Sequence, residues 1–187
     1  MEIPDEELCR RVAERDEAAF DLLVSRYQER AWRLAWSMLR DAEDARDVSQ
    51  EVFVRIYQSA SSFAGRSRFS TWFYRVMVNL CLEHRRRHWW QRLLAAAADG
   101  DRDESAIDRL PAPAADPAEA IDKEQAMKQL WAAVDALAPR QRAAVLLYAQ
   151  EELPASEIAA ALGCSEATVR VHLHRALAAL RRALRKD

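Results

Sequence analysis

The chain has 187 residues, half of them apolar, nearly a third charged and only three glycine, with a net charge of −2. That is enough chain for one ordinary core or two small ones, and the composition excludes wholesale disorder. No apolar run approaches the roughly 18 residues of a membrane span and the acidic start MEIPDEEL lacks the parts of a signal peptide, so a cytoplasmic location is expected. Cys9, Cys81 and Cys164 are odd in number and far apart, which argues against a disulfide framework and suits a reducing compartment.

The net charge hides a sorting along the chain. Residues 1–60 hold nine Arg against fourteen Asp or Glu, net −5, whereas 61–92 hold seven Arg against Glu83 alone, net +6. Residues 93–124 return to −6 and 125–187 to +3. Two basic blocks separated by acidic ones suggest two anion-binding surfaces; solvated helix faces are the plainer explanation of any one run.

Periodicity and the scarcity of breakers predict an all-α protein, with helices over about 5–13, 16–39, 42–59, 69–88, 118–136, 140–150, 154–161 and 165–185. The stretch 95–117, AAAADGDRDESAIDRLPAPAADP, is too polar and too interrupted by Gly100, Pro111, Pro113 and Pro117 to build a core. It reads as a linker between an N-terminal domain, 1–94, and a C-terminal domain, 118–187.

In the third predicted helix, DAEDARDVSQEVFVRIYQ, the stripe Ala45, Val48, Val52 and Ile56 points inward. The opposite face collects Glu43, Asp47, Gln50, Glu51 and Gln58 around an exposed Val54, which suits docking against a basic helix or simple solvation. Next comes SSFAGRSRFSTWFYRVMVN, where Phe63, Phe69, Trp72, Phe73 and Tyr74 alternate with Arg66, Arg68 and Arg75 around a Gly-containing loop. That mixture suits stacking on unpaired bases while screening phosphates, although each aromatic taken singly fits core packing too. Within the following helix Trp72, Phe73, Val76, Met77 and Leu80 form the expected core side, and Arg75, Asn79 and Arg86 lie together on another. Cys81, His84 and His88 also share a side, at i, i+3 and i+7, in a zinc-ligand pattern that lacks a fourth ligand and sits in a basic run. No metal or other cofactor is therefore expected.

The last predicted pair of helices has helix-turn-helix grammar. Gly163 allows the tight turn, and Ser165 is a natural N-cap. Val169, Leu173, Leu177, Leu180 and Leu184 fall within about an 80° arc, which defines the expected buried stripe. Val171 points the other way, where a β-branched side chain has no folding reason to be. With Ala167, Thr168, Arg170, His174 and Arg175 around it, it is placed to touch a thymine methyl in a major groove. An amphipathic helix packing on a neighbour explains the basic end, Arg181 to Lys186, but not the turn, the cap and Val171 together.

Taken together, DAEDARDVSQEVFVRIY, then FAGRSRFSTWFYRVMVNLCLEHRRR, then LAPRQRAAVLLYAQEELPASEIAAALGCSEATVRVHLHRAL resemble regions two and four of the bacterial sigma factors, in the two-domain layout of the extracytoplasmic-function group. The resemblance implies a factor that binds core RNA polymerase, directs it to promoter DNA, promotes −10 melting and is restrained by an anti-sigma factor. By matching position, it implies polymerase contacts at Asp44, Asp47, Gln50, Glu51 and Val54. It implies −10 contacts at Phe63, Arg66, Arg68, Arg75, Asn79, Arg85, Arg86 and Arg87, and −35 contacts at Ala167, Thr168, Arg170, Val171, His174 and Arg175. Val171, His172 and Leu177 depart from the family's usual residue types, which bears on −35 preference. No phosphate loop, Ser-His-Asp set or paired apolar carboxylates suggest catalysis. The competing expectation is a helix-turn-helix regulator that acts without polymerase.

Overall fold

A computed structural model describes residues 3–63, 65, 67–98 and 117–185 of the chain. Those residues form helices without strands, and the chain falls into two units, Met1–Ile107 and Asp108–Asp187. Most of the expected linker, along with Arg66, lies outside the described residues.

The first unit packs α1 (Asp5–Ala13), α2 (Glu17–Leu39), α3 (Ala42–Ser59), a 3-10 turn (Ala60–Ser62) and α4 (Phe69–Ala98). Two aspartates start helices here. Asp16 accepts from the Ala19 N–H at 3.0 Å and Asp41 from the Asp44 N–H at 2.9 Å, each satisfying a donor that the helix itself cannot. Arg40 ends α2 in the left-handed region at φ 61°, its N–H donating to the Trp36 carbonyl at 2.9 Å and its guanidinium lying over the Trp36 ring.

The core follows the 3.6-residue period: Leu8 and Val12 from α1, Leu23, Leu34 and Met38 from α2, Ala45, Val48, Val52 and Ile56 from α3, and Phe73, Met77 and Leu80 from α4 are all buried. Tyr27 lies between Phe69 at 5.1 Å and Phe73 at 4.7 Å, and its hydroxyl donates to Asp5 at 2.5 Å. Burial, reinforced by that bond, pushes the phenol's ionisation far above its ordinary range. Arg26 pairs with the same Asp5, and Glu6 accepts the Phe69 N–H at 2.9 Å, so α1 ties α2 to the start of α4.

Helix α4 runs ten residues beyond its predicted end at His88, and so into the first residues of the expected linker. The segment His88–Ala98 contains no glycine or proline and finishes in alanines, the best helix formers, so nothing in it stops the helix. Cys9 and Cys81 are buried free thiols, and burial raises their ionisation to about 11 and about 12 respectively.

The second unit comprises α5 (Pro117–Asp135), α6 (Pro139–Ala149), α7 (Ala155–Leu162) and α8 (Glu166–Leu184). Its least expected feature is Arg142, buried within α6. Its Nε donates to the Val134 carbonyl at 3.1 Å, another of its nitrogens donates to the Asp135 carbonyl, and it pairs with the Asp135 carboxylate at 3.1 Å. A buried arginine is tolerable because its donors meet the carbonyls at the C-terminus of α5 and the Asp135 carboxylate, with Val134 also accepting the Leu137 N–H at 3.1 Å. Arg140 reaches the Leu162 carbonyl at the end of α7 in the same manner, at 3.3 Å.

Candidate nucleic-acid and protein interfaces

Helix α3 buries its apolar stripe and leaves Glu43, Asp47, Gln50 and Gln58 exposed on the far side, with Val54 at 52% exposure among them. Glu51, half-buried, pairs with Arg55 at 3.0 Å. Asp44 does not share this outlook. It lies about 60° around the helix from Asp47, toward α4, with its carboxylate 3.7 Å from His84 and 3.5 Å from His88.

The aromatic segment divides. Phe69, Phe73 and Tyr74 are core residues rather than base-stacking surfaces, because Tyr27 and the facing helices enclose them. Phe63 and Trp72 keep partial exposure and pack together at 5.2 Å, with Phe69 beneath both. Val76, expected in the core, is only half-buried. Gly65 holds φ at +65°, in the left-handed region that favours glycine. Arg68, Arg75, Asn79, Arg86 and Arg87 are exposed. Arg85 leaves that group: it is half-buried and donates to the Met38 carbonyl at 3.0 Å, closing the C-terminus of α2. Trp89 and Trp90 pack edge to face at 4.7 Å and are exposed, so they do not cover their own unit. The Cys81, His84 and His88 pattern, from which no metal site is expected, is re-sorted. Cys81 is sealed in the core, and Asp44 takes its place beside the two histidines.

In the second unit α7 ends at Gly163 with φ +62°, and Ser165 accepts from the Thr168 N–H at 3.2 Å to begin α8. The Thr168 side chain is engaged in the same cap, 2.9 Å from the Ser165 hydroxyl. The buried stripe of α8 is Val169, Ala176 and Leu180; Leu173 and Leu177 sit at its margin, and Leu184 is exposed. About 160° away, Val171 is 47% exposed, flanked by exposed Ala167, Arg170, His174 and Arg175. Arg170 is held by Glu166 one turn back at 3.2 Å. His172 turns inward. Burial, with Arg140 and Arg175 nearby, holds its imidazole below the ordinary value.

Residues 23–91 match the family described as Sigma-70 region 2, and residues 127–180 that described as Sigma-70, region 4. A region 2 bundle and a region 4 helix-turn-helix in one chain define a transcription initiation factor of the sigma-70 class. The chain is 31% identical to the RNA polymerase sigma-H factor of Pseudomonas aeruginosa, over 96% of this chain and 93% of that one, and equally to the ECF RNA polymerase sigma-E factor of Escherichia coli K12. It is 35% identical to the ECF RNA polymerase sigma factor SigE of Mycolicibacterium smegmatis, over 91% of this chain, and spans 65% of that protein's length. The chain belongs to the ECF RNA polymerase sigma factors. Its fold is shared with CnrH, solved in complex with the cytosolic domain of CnrY (TM-score 0.70, 22% identity, 98% of each chain). It is shared too with the sigma factor RpoE of Bartonella quintana, solved with the anti-sigma factor NepR (TM-score 0.69, 21% identity, 90% of this chain and 98% of that one). No helix among the described residues is long and apolar enough to cross a membrane.

Proposed function

We propose that this sigma factor docks on core RNA polymerase through the outer face of α3, with Asp47, Gln50, Glu51 and Val54 at its centre and Asp44 at its edge. Promoter DNA is then read at two places. Phe63, Arg66, Arg68 and Trp72 receive an unpaired base of the −10 element while Arg75, Asn79, Arg86 and Arg87 hold the adjoining phosphates. Arg85, engaged with Met38, positions α4 rather than touching DNA. In the second unit Val171 meets the −35 major groove, with Ala167, Arg170, His174 and Arg175 around it and Thr168 fixing the N-terminal turn of α8.

The observation that carries this reading is Val171, exposed on the second helix of a capped helix-turn-helix with Arg170, His174 and Arg175 exposed around it. The acidic face of α3 favours a polymerase-bound factor over a free-standing regulator, since a regulator that binds DNA alone has no use for it. Nucleotide chemistry belongs to the polymerase, in the cytoplasm, and this chain performs none. RpoE was solved with an anti-sigma factor, and a protein of that kind would restrain this chain as well. The test is run-off transcription with purified core enzyme on genomic fragments. Promoter-dependent transcripts that require the chain are expected; their absence from every fragment, with stoichiometric core binding also absent, would overturn the assignment. Affinity for DNA alone decides nothing, because basic patches bind any duplex at low salt.

A further inference from the structure

Where α3 meets α4, Asp44, at the edge of the proposed docking face, is joined by two histidines that the scheme does not use. Asp44, in the first turn of α3, faces His84 and His88, which stand one turn apart on α4. The Asp44 carboxylate offers one oxygen to each ring: Oδ2 lies 3.7 Å from His84 Nδ1, and Oδ1 lies 3.5 Å from His88 Nε2. Both distances exceed those of a good hydrogen bond. They approach the separation of neighbouring ligands on one tetrahedral ion, about 3.3–3.6 Å for metal–ligand bonds of about 2.0–2.2 Å.

A second observation points the same way. His84 Nδ1 is buried and has no hydrogen-bond partner, an arrangement that costs stability unless something polar fills the gap. One cation would satisfy that nitrogen, the second imidazole and the carboxylate together. No two of the three ligand atoms are more than 4.8 Å apart, and rotation of the His88 ring, 41% exposed at its side chain, closes the remaining distance. The basic run nearby is less hostile to a cation than its sequence implies. Arg85 is turned to the Met38 carbonyl, Arg86 lies about 160° around α4 from His84, and Arg87, about 60° from it, is exposed to solvent.

We propose that Asp44, His84 and His88 form a binding site for one divalent transition-metal ion of the zinc class, which fastens the start of α3 to the middle of α4. Two imidazoles and a carboxylate are borderline nitrogen and oxygen donors of the kind zinc accepts, leaving the fourth position to water. The site lies on the opposite side of α4 from Arg75, Asn79 and Arg86, so it stands independently of the DNA assignment.

The test uses the full chain stripped with a chelator and titrated with Zn2+ by calorimetry, and with Co2+ by absorption. One equivalent is expected to bind with micromolar or tighter affinity, raising the melting temperature. The Co2+ spectrum should lack a thiolate charge-transfer band, since Cys81 is sealed away. His88→Ala removes a half-exposed ligand and keeps the fold; loss of a direct ligand should weaken Zn2+ by roughly a hundredfold or more, as should Asp44→Asn. Absence of saturable binding to the folded wild-type chain, wild-type affinity in both variants, or a thiolate band would each overturn the proposal.

Discussion

Reversing the charge of Asp47 separates function from stability in the outer face of α3. Asp47 is exposed, and Glu43 and Glu51 flank it one turn away on either side, so three carboxylates repel one another along one edge of the helix. Asp47→Arg replaces two repulsive i,i+4 pairs with attractive ones, which favours the helix by up to about 1 kcal/mol. The position lies beyond the first turn, so little is lost to the helix dipole. The melting temperature should therefore hold or rise.

Binding to core polymerase should move the other way. Removing one peripheral attraction and adding one repulsion is worth about 1–2 kcal/mol, or roughly 5- to 30-fold in Kd. The loss should shrink as salt shortens the Debye length from about 10 Å at 0.1 M to about 3 Å at 1 M. Val54→Ser gives the contrast: burying the remaining half of an exposed valine is worth about 1 kcal/mol, and the resulting loss should ignore salt. The assay is fluorescence anisotropy of labelled chain against core enzyme at two ionic strengths, beside thermal melts of each variant. Wild-type affinity for Asp47→Arg at low salt, or a loss that tracks a falling melting temperature, refutes the assignment of this face.

Other outcomes follow from the second unit. Arg170→Ala should lower discrimination between −35 sequences by about 1–3 kcal/mol, and Val171→Ser should relax the preference at a single thymine, with melting temperatures unchanged in both; competition binding with mutated promoter fragments measures this. Arg142→Ala leaves the Val134 and Asp135 carbonyls and the Asp135 carboxylate without their shared donor, and should destabilise the unit by about 3–5 kcal/mol in urea melts of the full chain. Because the folded-state pKa of His172 is depressed, the unfolded chain takes up its proton first. The stability owed to neutral His172 is present above its ordinary value near 6.5 and lost as pH falls below it; His172→Gln should flatten that dependence in thermal melts between pH 7.5 and pH 5.5.

What could be read beforehand was what local rules govern. The stripe of α3 follows from its period alone, and the turn and cap at Gly163 and Ser165 follow from the chemistry of those two residues. The fate of the aromatics could not be read in this way. Phe69, Trp72, Phe73 and Tyr74 spread over more than half the circumference of α4, and it is Tyr27, some forty residues earlier, that decides which are enclosed. Arg142 looks like surface charge until the C-terminal carbonyls of α5 are seen to face it. Asp44 and the histidines are forty residues apart, and no periodicity links them. The end of α4 lies ten residues past the expected one, because nothing from His88 to Ala98 is a strong helix breaker and periodicity alone does not mark where such a helix stops.

The sorted charges of the sequence become separate exposed surfaces on α3 and α4 of one unit. Along α3 the carboxylates repel one another with no contribution to the core; along α4 Arg75 and Arg86 stand exposed beside Asn79. Neither arrangement helps the unit fold, since Ala45, Val48, Val52, Ile56, Phe73, Met77 and Leu80 supply the packing without them. A polyanion matches the arginines of α4 and not the carboxylates of α3, and a basic helix matches α3 and not α4. No single partner of uniform charge suits both. On the proposed assignment the unit stands between two partners of opposite charge, a protein against α3 and nucleic acid against α4.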